Sequence, residues 1–193
     1  TVPLRQSESG PFLLLPMEVN GIPATFLFDT GTTHTVISKE FADRFGVRAN
    51  CFNRDIQTEV SLPGGTREAH CVELKSLRMG PVRAKRNPGQ ALIVDYPNLR
   101  ARFGEDVAGM LGNATWLSAD YVLDVARPSL GVSRRLGLTK SPEAHRLKIL
   151  DGRTYLPVEI DGRTFDFLLA TASSATRVTQ EVIDELRPVN YDY

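Results

Sequence analysis

Phe26-Leu27-Phe28-Asp29-Thr30-Gly31-Thr32-Thr33 is the stretch on which the reading of this chain turns. Three bulky apolar residues run into Asp-Thr-Gly and then into two hydroxyls. A short apolar run bounded by turn residues reads as a buried strand. The strand delivers a carboxylate into a tight loop. A carboxylate withdrawn from water needs hydrogen-bond donors. The loop offers them as backbone N–H groups beside Gly31 and as the hydroxyls of Thr30 and Thr32. Asp and Gly are also ordinary turn residues, so the stretch alone is equally well read as a strand ending in a turn.

The surrounding sequence predicts β structure. Phe12 to Val19 and Ile22 to Phe28 are strand-like runs separated by Asn20-Gly21, a strong hairpin signal. Asp29 therefore sits at the end of the second strand of a hairpin. Thr35 to Ser38 reads as another short strand. Ser38 is placed to cap a helix with Phe41, Ala42 and Phe45 on one face and Gly46 as its stop. Asp55 to Leu62 and Thr66 to Leu74 form a second hairpin around Pro63-Gly64-Gly65. Leu77 to Val82 and Ala91 to Val94 read as strands joined through a basic loop, Arg83 to Gly89. Val107 to Asn113 precedes a helix-like stretch from Ala114 to Leu117. Tyr121 to Val125 and Ser129 to Val132 form a last hairpin, and the polar segment Arg134 to Ala144 reads as a linker.

Composition excludes several classes of function. The 193 residues carry 23 Lys plus Arg against 23 Asp plus Glu, so no field favours nucleic acid or an anionic membrane. No apolar run reaches the roughly 20 residues that span a bilayer. The three histidines are scattered, and neither G-x-S-x-G nor a Walker-type loop is present, so no metal, triad or phosphate-loop chemistry and no cofactor are expected. Cys51 and Cys71 permit one disulfide closing a loop of about 20 residues, or two unpaired thiols, and the thiols are slightly favoured. Localisation is not written in the sequence beyond a weak lean toward an extracytoplasmic compartment.

The chain also matches itself. At an offset of 141 residues, the thirty positions from Leu15 to Arg44 show ten ungapped identities with Leu156 to Glu185. Asn20-Gly21 falls on Asp161-Gly162, Phe26-Leu27 on Phe167-Leu168, Thr30 on Thr171, and Thr32-Thr33 on Ser173-Ser174. Asp29 falls on Ala170 and Gly31 on Ala172. The second copy keeps the hairpin, the hydroxyls and the helix, and loses the acid and the glycine.

Leu27-Phe28-Asp29-Thr30-Gly31-Thr32, the glycine-tipped hairpin at Pro63-Gly64-Gly65, and Gly109-Met110-Leu111-Gly112-Asn113 together resemble a retropepsin-like aspartic protease of the cellular and bacterial type. Gly64 lies 35 positions beyond Asp29, and Gly109 lies 80 beyond it. The resemblance covers Phe12 to Val132. It implies a mostly β, closed barrel-like acid-protease lobe with a flap hairpin and one or two short helices, followed by the start of a second similar lobe. The boundaries expected are a lead-in over 1–10, a lobe over 11–138, a linker over 139–150 and a partial second lobe over 151–193.

The resemblance implies an aspartic endopeptidase acting on extended polypeptide, with two carboxylates sharing a proton and activating water. Asp29 would be the catalytic carboxylate. Thr30, Gly31 and Thr32 would support its loop, and Pro63, Gly64 and Gly65 would form the flap tip. Ala170, Thr171 and Ala172 would be a degenerate second site. Two lobes of this kind pair as a homodimer through their Asp-Thr-Gly loops or as a pseudodimer within one chain. The alternatives are a peptide-binding or regulatory module that has lost catalysis, and an inactivated or truncated form of a longer two-lobed enzyme.

Overall fold

The computed structural model describes residues 1–51, 57–62, 65–83, 89–96, 99–103, 106–115, 120–133 and 145–186. The first elements are β1 (Val2–Pro3), β2 (Arg5–Gln6), β3 (Leu13–Val19), β4 (Ile22–Phe28), β5 (Thr35–Ser38) and helix α1 (Lys39–Phe45). Next come β6 (Gln57–Leu62), β7 (Gly65–Glu73), β8 (Leu77–Met79), β9 (Val82–Arg83), β10 (Gln90–Val94) and α2 (Leu99–Phe103). Strand β11 (Val107–Leu111) runs into a 3-10 turn, Asn113–Thr115, and then to β12 (Asp120–Asp124) and β13 (Ser129–Ser133). The last elements are β14 (Lys148–Leu150), β15 (Arg153–Ile160), β16 (Arg163–Leu168) and α3 (Gln180–Leu186).

The mostly β expectation holds. The main sheet has the order β6-β7-β10-β5-β11-β4-β3-β8-β9, with β2 on β3. β1, β13 and β12 form a second sheet, and β14, β15 and β16 a third. No pairing among the described residues joins β6 to β9, so the expected closed barrel is not seen as a ring of hydrogen bonds among them, and buried clusters lie on both faces of the sheet.

Strand β4 shows why an unbroken apolar run was required. Phe26 and Phe28 enter one buried cluster with Leu15 and Ile37. Leu27 enters the opposite cluster with Leu14, Val36 and Met110. A strand buried on both faces has no polar face to alternate with. Asn20 and Gly21 turn β3 into β4 with φ of 52° and 84°, the left-handed pair that a tight hairpin demands. α1 is capped by Ser38, whose Oγ accepts from Phe41 N at 3.2 Å, and ends at Gly46 with φ 66°.

Several local expectations are corrected. Residues 1–10 are not a loose lead-in: Val2 is opposite Leu130, Arg5 is opposite Leu14, and Val2 is fully buried. Phe45 is 40% exposed, because α1 turns only Phe41 and Ala42 into the core. Leu77 to Val82 is not one strand but two, β8 and β9, folded at Gly80 with φ 50°. The helix α2 is an addition, and its sequence Leu-Arg-Ala-Arg-Phe is too short to carry a helical period. Lys148–Leu150, inside the expected linker, pairs with β15. Cys51 and Cys71 form a disulfide with Cα atoms 5.6 Å apart, against the expectation of two thiols. Folding brings the loop after α1 beside β7, which sequence spacing alone does not encode. The flap tip Pro63-Gly64, the basic loop centre 84–88, Trp116 and the segment 134–144 lie outside the described residues.

Candidate active site

The loop carrying Asp29 owes its place to one topological feature. β4 and β5 are consecutive in the chain but not neighbours in the sheet, because β11 lies between them. β11 runs parallel to β4, with Met110 opposite Leu27 and Leu111 opposite Phe28, and antiparallel to β5. Residues 29–34 must therefore cross over the end of β11. Crossing requires that end to be bare. A Cβ on Gly112 would lie 2.4 Å from His34 O and 2.8 Å from Thr32 O. A Cβ on Gly109 would lie 2.0 Å from Val36 O. Gly112 is thus a steric requirement of the crossing, and Gly109 of the close pairing of β11 with β5.

Backbone and side-chain bonds then fix the loop. Asp29 N donates to Leu111 O at 3.2 Å, and Asn113 N donates to Thr32 O at 2.8 Å. Asn113 Nδ2 donates to Thr30 O at 2.9 Å and to Thr154 Oγ1 at 3.0 Å, so a single buried amide ties the loop to β15. Thr35 Oγ1 and Thr115 Oγ1 are 2.7 Å apart.

Asp29 is 8% exposed, and both of its carboxylate oxygens accept hydrogen bonds. Gly31 N donates to Oδ1 at 2.9 Å and Thr32 Oγ1 donates to Oδ2 at 2.5 Å. Two of the three expected donors are in place; the third, the Thr30 hydroxyl, turns to the facing loop instead. Gly31 has a second reason for lacking a side chain. A Cβ there would lie 2.7 Å from the Cβ of Ala170 and 3.2 Å from Asp29 Oδ1.

Ala170 therefore stands across from the Asp29 loop within the same chain. Thr171 Oγ1 accepts from Thr30 N at 3.1 Å and donates to Phe28 O at 2.6 Å. Thr30 Oγ1 donates in return to Leu169 O at 2.5 Å. Each threonine hydroxyl reaches the carbonyl two positions before the opposite threonine, so the two loops hold each other with near twofold reciprocity. Thr30 is 1% exposed, and both its N–H and its hydroxyl are bonded to the facing loop, as buried polar groups require. Thr33 Oγ1 adds a bond to Asp151 O at 3.2 Å.

Asn113, Thr154 and Tyr121 were not singled out as site residues by sequence reasoning. Asn113 was visible as the residue after the Gly-Met-Leu-Gly run. Thr154 has no counterpart in the matched repeat positions and was not legible. Tyr121 packs edge-on against Phe28 with ring centroids 6.1 Å apart. Burial raises the Tyr121 phenol above its usual value, against the opposing effect of its hydrogen bond with Thr154.

Asp166 does not supply a second acid to this loop, since it is paired with Lys148 Nζ at 2.7 Å. Gly65 begins β7 with φ 117° and is exposed, while the rest of the flap tip is not described. Ala172 is half-buried beside Thr171. No group of three or more His, Cys, Asp or Glu able to hold a metal occurs among the described residues. No described helix is long and apolar enough to cross a membrane.

No curated protein is a significant match. Among solved structures, the chain is similar to a retropepsin-like aspartic protease from Rickettsia conorii, at 17% identity over 63% of this chain and 90% of that one, with a TM-score of 0.44. It is also similar to the retroviral protease-like domain of Ddi1 from Leishmania major, at 12% identity over 64% and 90%, with a TM-score of 0.46. The EIAV protease in complex with the inhibitor HBY-793 matches at 19% identity over 51% and 79%, with a TM-score of 0.38. A family profile described as Aspartyl protease matches residues 15–115, more than half of the chain and the whole span from β3 through the crossing loop to the 3-10 turn. The protein belongs to the aspartyl protease family.

Proposed function

We propose that the chain binds extended polypeptide across the Asp29 loop and hydrolyses it as an aspartic endopeptidase when a second carboxylate completes the site. The observation that carries this reading is the Asp29 carboxylate itself. It is nearly buried, ends a rigid strand, and has both oxygens held by Gly31 N and Thr32 Oγ1. A carboxylate so placed is suited to take a proton from an attacking water. The amide carbonyl also needs a proton or a hydrogen bond, and in the two-acid mechanism the second carboxyl supplies it.

Within one chain, the residue facing that position is Ala170. The second acid therefore comes from Asp29 of another copy. Its Thr30 takes over the contacts that Thr171 makes here, an exchange of like hydrogen bonds for like. Hydrolysis then depends on protein concentration, whereas peptide binding does not.

The contact of Ala170 with Gly31 favours a second reading, a cleft that holds extended peptide and never cuts it. One experiment separates the two. The protein is incubated with a denatured substrate from acidic to neutral pH, over a hundredfold range of protein concentration, with and without pepstatin. The expected result is cleavage that rises more steeply than linearly with protein, is blocked by pepstatin and is lost in Asp29→Asn. Peptide binding without cleavage at any pH or concentration rejects hydrolysis and leaves the binding reading.

A further inference from the structure

Asn113, just beyond the end of β11, reaches the donors on both sides of the Asp29 carboxylate. Asn113 N donates to Thr32 O at 2.8 Å. Thr32 in turn donates its hydroxyl to Asp29 Oδ2. Asn113 Nδ2 donates to Thr30 O at 2.9 Å. That oxygen belongs to the peptide unit whose nitrogen is Gly31 N, the donor to Asp29 Oδ1 at 2.9 Å. A trans peptide is planar, and its C=O and N–H point opposite ways. Asn113 therefore holds one end of the plane whose other end holds the acid.

The side-chain amide of Asn113 is itself fixed. Thr30 O can only accept, so Nδ2 must face it. The second N–H of Nδ2 goes to Thr154 Oγ1 at 3.0 Å, which leaves neither donor free to turn away. Thr154 is held in its turn by a hydrogen bond with the Tyr121 phenol. Thr30, Asn113 and Thr154 are all buried, so water competes little for these bonds.

The geometry points to Asn113 as a positioning residue for Asp29, acting through the Thr30–Gly31 peptide. Its amide sets the plane that aims Gly31 N at the carboxylate. A peptide that accepts at its oxygen is a stronger donor at its nitrogen, so the same bond tightens the hold on Oδ1. Thr154 lies in the half of the chain that lacks an acid, and through Asn113 that half orients the acid of the other. The setting of Asp29 stands apart from catalysis, and its consequence for rate rests on the proposed hydrolysis.

Amide NMR of the isotope-labelled full chain tests the positioning without requiring activity. Asp29→Asn removes the charge at one end of the peptide. It is expected to move the Asn113 Nδ2 proton resonances together with the Gly31 N–H resonance. Asn113→Leu, close in size, is expected to move the Gly31 N–H resonance upfield, as a weakened hydrogen bond does. Val2→Ala, which truncates a fully buried side chain beside Gly80, is expected to leave that resonance in place. If Asn113→Leu does not fold, the response of Asn113 to Asp29→Asn decides alone. A Gly31 resonance unmoved in Asn113→Leu overturns the proposal, as does an Asn113 amide indifferent to Asp29→Asn or a Gly31 shift reproduced by Val2→Ala. Where the chain cleaves peptide, Asn113→Leu is expected to lower kcat about tenfold with KM nearly unchanged, because the group it positions acts on water and does not hold substrate. A raised KM with kcat intact counts against the positioning. A chain that never cleaves defeats the proposed hydrolysis and leaves the resonances to decide.

Discussion

A single atom decides what several residues here can be. At Gly109 and Gly112 the space for a Cβ is taken by the carbonyls of Val36 and His34. At Gly131 the nearest atoms to such a Cβ are 3.9 Å away, on Val122. The two kinds of glycine are indistinguishable in the sequence, and they differ in energy. Gly109→Ala forces the backbone of β5 or β11 to move and is expected to cost about 3 kcal/mol, the upper range for overpacking. Gly131→Ala is expected to stay within about 0.5 kcal/mol, as at an open surface position. Urea unfolding of the two variants measures the difference, and equal losses would show that β5 does not press on β11 at Gly109. Thr30 and Thr171 carry the same lesson in hydrogen bonds. Each is a plain threonine in the sequence, and only the fold makes their hydroxyls the link between two loops 141 residues apart.

At the scale of elements, the hairpins and the first helix were legible, because local chemistry determines them. Asn20-Gly21 predicts its turn, Ser38 and Gly46 mark the ends of α1, and the run Phe26 to Phe28 predicts a strand buried on both faces. The candidate acid and its donors were legible for the same reason, since Asp29, Gly31 and Thr32 are neighbours in the chain. What was not legible depends on contacts distant in sequence. The pairing of β1 with β13, the bond from Asn113 to Thr154 and the disulfide all join segments whose proximity follows from topology. The disulfide ties the segment after α1 to β7, one strand of the flap-like hairpin. Asn50 reinforces the join, with its Oδ1 accepting from Glu73 N at 2.6 Å. The bridge spans 20 residues, so the chain-entropy estimate of its stabilisation is about 3 kcal/mol. Replacing both cysteines with alanine is expected to lower the melting temperature by roughly 6–12 °C for a chain of this size. It is also expected to speed amide exchange in β6 and β7 more than in β3 and β4. Equal acceleration in both hairpins would mean that the bridge stabilises the molecule without bracing the flap in particular.

At the scale of the whole molecule, two halves meet with the hydrogen bonds of a symmetric site and the chemistry of an asymmetric one. Thr171 keeps its grip on Phe28 and Thr30, so the facing loop is already positioned. The missing parts are a carboxylate at 170 and a backbone free enough at 172 to donate to it, as Gly31 N donates to Asp29 at 2.9 Å. Ala170→Asp alone adds a charge near Asp29 without its N–H donor, and two like charges in a nearly buried site repel unless they share a proton. Ala170→Asp combined with Ala172→Gly supplies both parts. The double variant is expected to cleave denatured substrate at a rate linear in protein concentration, because each chain then holds its own pair of acids. Its rate is expected to follow a bell-shaped pH profile, the mark of a pair sharing one proton. The unmodified chain is expected to show the steeper concentration dependence of a site assembled from two copies. If the double variant gains no activity while its melting temperature and peptide binding match those of the unmodified chain, the facing loop does not sit where a second acid can act. The twofold hydrogen bonding of Thr30 and Thr171 would then be a joint between the halves and not the frame of a catalytic pair.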